Sequence, residues 1–212
     1  MQNRSPKRLL AILLLAALLP ALAGCIGGRT PPSDFYLLEP IKTLQGGRPT
    51  DPIHRGIALA PVRIPQYLDR PQMVTSTAKN AYTLSEFHRW AERLDDGIAR
   101  VLALNLSLLV PTDRVSLNAT GRNPPDTLRV AVTLLEFHVD PLGQAVLAAQ
   151  WNVARGEETV LGRQASYREP ASSTDYAVMA GALNECLNRL SRDLALDLRR
   201  LGGEGVGAAG GL

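Results

Sequence analysis

Apolar residues recur at two spacings along this chain, and the spacing changes where Gly, Pro and Asn cluster. Phe35 to Leu38 (FYLL) and Ile57 to Val62 (IALAPV) read as short strands, with Pro61 placing the end of the second near a sheet edge or bulge. Ile41 to Arg55, carrying Gly46-Gly47, Pro49 and Pro52, is loop-like. Gln72 to Thr75 and Ala81 to Leu84 predict a hairpin around Ala78-Lys79-Asn80. The period then lengthens. From Glu86 to Leu109 the positions Trp90, Leu94, Ile98, Val101, Leu102, Asn105 and Leu109 fall on one helical stripe. Thr83 and Glu86 have capping-box spacing, Ser85 competes as N-cap, and Pro111 stops the run.

Three strand-like runs follow, Leu128 to Val139, Ala145 to Arg155 and Thr159 to Arg168, joined by Pro141-Leu142-Gly143 and Gly156-Glu157-Glu158. Connections this short favour an antiparallel meander. Ala145, Leu147, Ala149, Trp151 and Val153 share one face of the middle run, with Gln150 and Asn152 on the other. The first run is apolar on both faces (Val130, Val132 and Leu134 against Ala131, Leu135 and Phe137), as expected of a central strand covered on both sides. A second helix is predicted over Asp175 to Leu201, with N-caps available in Ser172-Ser173-Thr174 and Gly202-Gly203 at its end. Tyr176, Met179, Leu183, Leu187, Leu190, Leu194, Leu198 and Leu201 mark its apolar face. The fold expected is therefore α+β: an antiparallel β-sheet with two long helices packed on one face. It forms a single domain over residues 35–201, and the Gly/Ala-rich tail over 202–212 is expected to be disordered.

The N-terminus changes the charge balance. Leu9 to Leu19 is an apolar run behind a basic segment, too short to span a membrane and shaped like a secretory signal. It ends in Leu22-Ala23-Gly24-Cys25, which resembles a bacterial lipobox, where cleavage precedes a cysteine that carries a diacylglyceryl thioether. The plainer alternative is an ordinary signal peptide with a chance cysteine. Residues 1–24 hold Arg4, Lys7 and Arg8 and no acid, so the formal charge of +3 (23 basic against 20 acidic) becomes 0 (20 against 20) once they are removed. Nucleic-acid binding thereby loses its compositional support. With Cys25 acylated, Cys186 has no intramolecular partner and no disulfide, zinc site or redox motif can form. Several acyl chains on one residue anchor stably. Residues 25–34 would be lipidated N-terminus and tether, and Ile26 to Asp34 could span at most about 30 Å. Ile26 is not the aspartate that favours inner-membrane retention, so the expected location is the periplasmic face of the outer membrane.

Catalytic signatures are weak. Gly205 to Gly210 matches G-x-G-x-x-G, but it follows a helix and has none behind it to receive a phosphate. His54, His88 and His138 are scattered, with no carboxylates to make a ligand set, so no metal or cofactor is expected. Asn105-Leu106-Ser107 matches a glycosylation acceptor inside a helix and carries no weight. Cys186, beside Leu183, Leu187 and Leu190, reads as a buried core thiol. The segment with most to say is Arg63 to Val74 (RIPQYLDRPQMV). Tyr67 and Leu68 stand between Pro65 and Pro71, flanked by Asp69 and Arg70. A rigid loop presenting an aromatic beside an arginine suits a partner contact. A bulged edge whose Tyr67 covers the core fits equally well.

These features resemble the PqiC/YmbA-type lipoproteins, auxiliary components of Mce-type intermembrane transport systems. The resemblance rests on Phe35-Tyr36-Leu37-Leu38, the run from Ile64 to Val74, Trp90 to Leu94 and Arg100 to Leu106. It implies a non-enzymatic, outer-membrane-anchored subunit that docks a periplasm-spanning Mce-domain protein and, through it, an inner-membrane permease. It also implies a ring-like homo-oligomer. Tyr67, Leu68, Asp69 and Arg70 are the candidate contact residues, and a lipid- or glycan-binding carrier is the alternative.

Overall fold

Alternation at period two dominates the second half of the chain and lays down its three longest strands. The computed structural model describes residues 31–42, 55–112, 114–117, 119, 124, 126–172 and 174–203. The expected signal peptide, Cys25 with its tether as far as Thr30, His54, the 205–210 glycine run and residues 204–212 of the tail lie outside these. In chain order the elements are β1 (Asp34–Tyr36), β2 (Gly56–Leu59), β3 (Gln72–Ala78), β4 (Ala81–Trp90), α1 (Leu94–Leu109), β5 (Val115–Ser116), β6 (Thr127–Val139), β7 (Gln144–Arg155), β8 (Glu158–Pro170) and α2 (Tyr176–Gly203). Gln66–Leu68 adds a 3₁₀ turn between β2 and β3.

β6, β7 and β8 form the expected antiparallel meander, in register from Leu128↔Arg155 to Val139↔Ala145 and from Gln144↔Pro170 to Arg155↔Glu158. Beyond β6 the sheet is mixed. β2 pairs parallel with its first half (Ile57↔Leu128) and carries β5 outside it. β3 pairs parallel with its last residue (Thr75↔Val139) and carries β4, then β1, the latter parallel to β4. Parallel pairing follows because each of these partners reaches β6 through a long connection rather than a hairpin. The β3–β4 hairpin turns at Lys79-Asn80, where Asn80 takes the left-handed conformation (φ 63°) that asparagine tolerates.

The largest departure from expectation is at 86–93. The strand expected over Ala81 to Leu84 runs on as β4 to Trp90, so the helix begins eight residues later than the capping-box spacing suggested, at Leu94. Ser85 caps no helix. Its hydroxyl instead receives the His88 amide inside an irregular stretch of β4. Trp90 is buried, but at a strand end against Phe137 (centroids 5.9 Å apart) rather than in a helical stripe. Tertiary pairing on both sides of β4 has overridden a locally plausible helical pattern.

A bulge changes β6. Leu134 faces Ala149 and Glu136 faces Ala148, so Leu135 is the extra residue. Beyond it the faces exchange, and Phe137 and Val139 join Val130, Val132 and Leu134 in the core. The opposite face is not covered throughout as expected: Ala131 is exposed and Leu135 is 36% exposed.

From Ser33 the chain forms one compact unit. Both helices lie on the core face, α2 against β6, β7 and β8 and α1 against α2 and β5. Asp175, rather than the Ser/Thr run, caps α2, accepting from the amides of Ala177 (2.9 Å) and Val178 (3.1 Å). The interior is filled by side chains, Trp151, Phe137, Ile98 and Leu134 among the most buried. Polar pairs clamp α2 to edge strand β8: Arg163 to Asp197 (2.8 Å), Tyr167 to Asp193 (2.8 Å) and Arg189 to Glu169 (2.7 Å). The α2 partners recur every four residues and the β8 partners every second or fourth, so one helix stripe meets one strand face. Charges turned inward on β8 also blunt a long free edge.

Candidate partner surface

The Pro-bounded segment fills the gap along β6 that β2 and β3 leave between them. Past β2 the chain keeps to β6 through Ala60 N–H to Val130 O (2.8 Å), Arg63 N–H to Val132 O (3.1 Å) and Leu134 N–H to Arg63 O (2.8 Å). At Pro65 it coils into the 3₁₀ turn, closed by Leu68 N–H to Pro65 O (2.9 Å) and Asp69 N–H to Gln66 O (3.2 Å). Pro71 O then accepts the Trp90 amide (2.7 Å) and ties the segment into β4. Two prolines and this backbone bonding leave little freedom to lose on binding.

The four candidate residues divide. Leu68 is 2% exposed and packs in the core, so its side chain anchors the turn and offers no contact. Asp69 is exposed and lies 3.5 Å from Arg93, which also meets Asp95 (2.9 Å) and Asp96 (3.6 Å) at the start of α1. Arg70 is half-buried, its Nε without a hydrogen bond. Tyr67 is partly buried against the core and tilts onto Tyr82 at 5.1 Å. Its hydroxyl lacks a hydrogen bond of good geometry, the Phe137 amide acting on it weakly. Burial, with Tyr82 and Glu136 beside it, pushes the phenol up to about 12. Tyr67 thus covers the core, as the bulged-edge reading has it, while keeping part of its surface at solvent.

The sequence did not single out the remainder of this surface. Tyr82 is 46% exposed and meets the edge of His138 at 5.3 Å. Leu84 (38% exposed) and Val74 pair on β4 and β3. Val74 is buried, and Tyr67, Tyr82 and Leu84 make an aromatic and aliphatic patch on the side of His138, opposite the core-facing Phe137 and Val139. The strand over Ala81 to Leu84 was legible in advance, and the alternation of Tyr82 and Leu84 within it is the signal that places both on one face. His138 is buried, its Nδ1 has no partner, and desolvation lowers its pKa, opposed by Glu136 and Asp140.

One group looks catalytic and is not arranged to be. Ser85 Oγ lies 2.8 Å from His88 Nδ1, and Asp34 Oδ2 lies 3.7 Å from His88 Nε2. In a hydrolytic triad the nucleophile meets Nε2 and the acid orients Nδ1, the reverse of this order. The His88 ring is also stacked face to face on Tyr176, 3.9 Å away. The arrangement joins β1, β4 and the first turn of α2. Among the described residues no group of three or more His, Cys, Asp or Glu converges to hold a metal. Cys186 is fully buried as expected, and burial pushes its thiol up to about 12.

Known proteins bear on this architecture. The chain is 29% identical over 131 residues to the intermembrane transport lipoprotein PqiC of Escherichia coli (strain K12), covering 61% of this chain and 67% of that protein. The PqiC of Shigella flexneri matches to the same extent. Two crystal structures share the fold at a TM-score of 0.66. One is of an uncharacterized protein (21% identity, 79% of this chain and 99% of the other). The second is of a protein from Xanthomonas campestris (16% identity, 81% and 97%). Residues 36–195, the whole domain from β1 into α2, match the family described as the ABC-type transport auxiliary lipoprotein component. The chain belongs to that family, and is an auxiliary lipoprotein component of an ABC-type transport system.

Proposed function

We propose that this lipoprotein is a non-enzymatic docking subunit, held by acylated Cys25 on the periplasmic face of the outer membrane. There it receives a periplasm-spanning Mce-domain protein connected to an inner-membrane permease. In this reading copies of the domain assemble as a ring, and the surface formed by Tyr67, Asp69 and Arg70, extended by Tyr82 and Leu84, takes part in the contacts. The observation that carries the proposal is the rigid Pro65–Pro71 turn, which holds a half-buried aromatic next to unlike charges at the border of an exposed patch. Support for a role without chemistry comes from the reversed order around His88. The filled interior favours docking over a carrier that encloses an acyl chain.

The test is co-purification of the detergent-extracted lipoprotein with the Mce-domain protein from its own genome. Tyr67→Ala combined with Asp69→Arg should weaken retention about tenfold or more, the effect of losing one hot-spot contact. Retention unchanged in a variant that folds normally would remove this surface from the interface.

A further inference from the structure

β1 closes the sheet on one side, and among the described residues no strand pairs with its outer edge. Its alternation separates two faces. Asp34 and Tyr36 point toward His88: the carboxylate lies 3.7 Å from Nε2 and the Tyr36 ring is stacked 6.1 Å away. Phe35 and Leu37 point the other way, 63% and 52% exposed, and Leu38 after them is buried again. Two large apolar side chains about 7 Å apart on one face exceed the scattered exposure of an ordinary surface. Arg89 stands opposite Phe35 in the register and so on the same face. Its Nε donates to the Glu86 carbonyl (3.0 Å), which leaves the charge without a carboxylate partner among the described residues. Along the β1 segment the acids are already matched, Asp34 by His88 and Glu39 by Lys42 (2.6 Å). An apolar pair beside a cation fits the interfacial layer of a bilayer, where such groups meet acyl chains and phosphates.

Chain length says what meets this face. Only Ile26–Pro32 separate Cys25 from Ser33, a stretch that spans at most about 28 Å when fully extended. Phe35 is the second residue beyond Ser33. An anchor this close holds the strand beside lipid at high effective concentration, so a small apolar surface suffices for contact. β1 itself has three residues, too few for its edge to hold a second copy through backbone bonds.

Resting on the acylation of Cys25 proposed above, we infer that the outward face of β1 lies against the bilayer that holds the anchor. Phe35 and Leu37 enter the interfacial layer, and the Arg89 guanidinium meets lipid phosphate. α2, packed on β6 to β8 and so three strands or more from β1, keeps its outer side away from lipid.

Quenching by brominated lipid tests this. The mature chain, purified from membranes, is reconstituted in phosphatidylethanolamine/phosphatidylglycerol vesicles with or without brominated acyl chains. The native chain, whose Trp90 and Trp151 are buried, gives the background in each vesicle. Emission added by Phe35→Trp should fall about twofold or more in brominated vesicles. That added by Leu196→Trp should be unchanged, since Leu196 lies 20 residues or about 30 Å along α2 from the Tyr176 that stacks on His88. Adding Arg89→Gln to the Phe35→Trp chain should reduce the quenching, and undiminished quenching would remove Arg89 from the contact. If Phe35→Trp is quenched no more than Leu196→Trp in protein that floats with the vesicles, the placement is wrong and this face belongs to a protein partner or a second copy. The mass of the N-terminal peptide reports acylation separately. Should Cys25 prove unmodified, the anchor reading fails alone. The same chain is then coupled through Cys25 to maleimide-phosphatidylethanolamine, Cys186 being buried, and the quenching outcomes keep their meaning.

Discussion

His138 shows how one residue can couple stability to acidity. Its ring is buried beside Tyr82 with one nitrogen unbonded, and desolvation holds its pKa below the 6.5 of an exposed imidazole, the Arg168 charge adding to this and Glu136 and Asp140 resisting it. The unfolded chain therefore binds a proton that the folded protein refuses, and stability rises with pH across the window from the folded value to about 6.5. Acidification from pH 7.5 to 5.5 should lower the urea midpoint, and His138→Gln should make that fall smaller. Equal falls in both proteins would assign the acid sensitivity elsewhere. Among single residues, the sequence showed Cys186 as a core thiol and Leu68 as a large apolar group, but not the inward turn of Leu68. A lone loop leucine has no periodicity to give its side away.

At the scale of elements, a buried polar node seats the N-terminal segment on the helices. Asn105 Oδ1 accepts the Ile41 amide (2.8 Å), while its Nδ2 donates to Asn188 Oδ1 (3.0 Å) and Ser191 Oγ (2.9 Å). Two neighbouring bonds act in the same sense, Arg100 Nη2 to Leu38 O (2.8 Å) and Glu39 N–H to Asn184 Oδ1 (2.8 Å). Asn105→Ala strips the partner from a buried amide and should cost about 2–4 kcal/mol, seen as a lower denaturation midpoint with unchanged slope. Asn105→Asp keeps the acceptor for Ile41 and should restore part of the loss only where the carboxyl is protonated. Element existence was readable wherever one period ran uninterrupted, as in β6 to β8 and α2. It failed at 86–93, where Ser85, Glu86 and the spacing of Trp90 to Leu94 satisfy a helix as well as a strand. Pairing with β3 and β1, remote in sequence, settled that ambiguity.

For the whole molecule, anchoring and folding should separate. The core draws on residues from Leu38 onward, so Cys25→Ala leaves it intact. The variant is expected in the soluble envelope fraction with a melting temperature equal to that of the native domain, by fractionation and thermal unfolding. Co-melting and co-fractionation changes together would instead tie the anchor to the fold. The α+β class with two helices on one face was evident in advance because it needs only element order and amphipathic faces. The parallel pairings were not, since strands as short as β1, β2 and β5 find partners through long connections that leave no local trace.

The extra residue in β6 has an evolutionary corollary. It works as a reading-frame shifter: were Leu135 to pair with Ala148 in a regular ladder, Phe137 and Val139 would face water while Glu136 and His138 entered the hydrophobic interior, whereas removing Leu135 leaves every later pair with β7 as it is. A descendant that loses this one residue keeps the inward and outward order of every side chain from 136 to 139. When relatives of differing length are aligned, the gap therefore belongs at 134–136 on grounds of pleat geometry, even where matching letters would place it elsewhere.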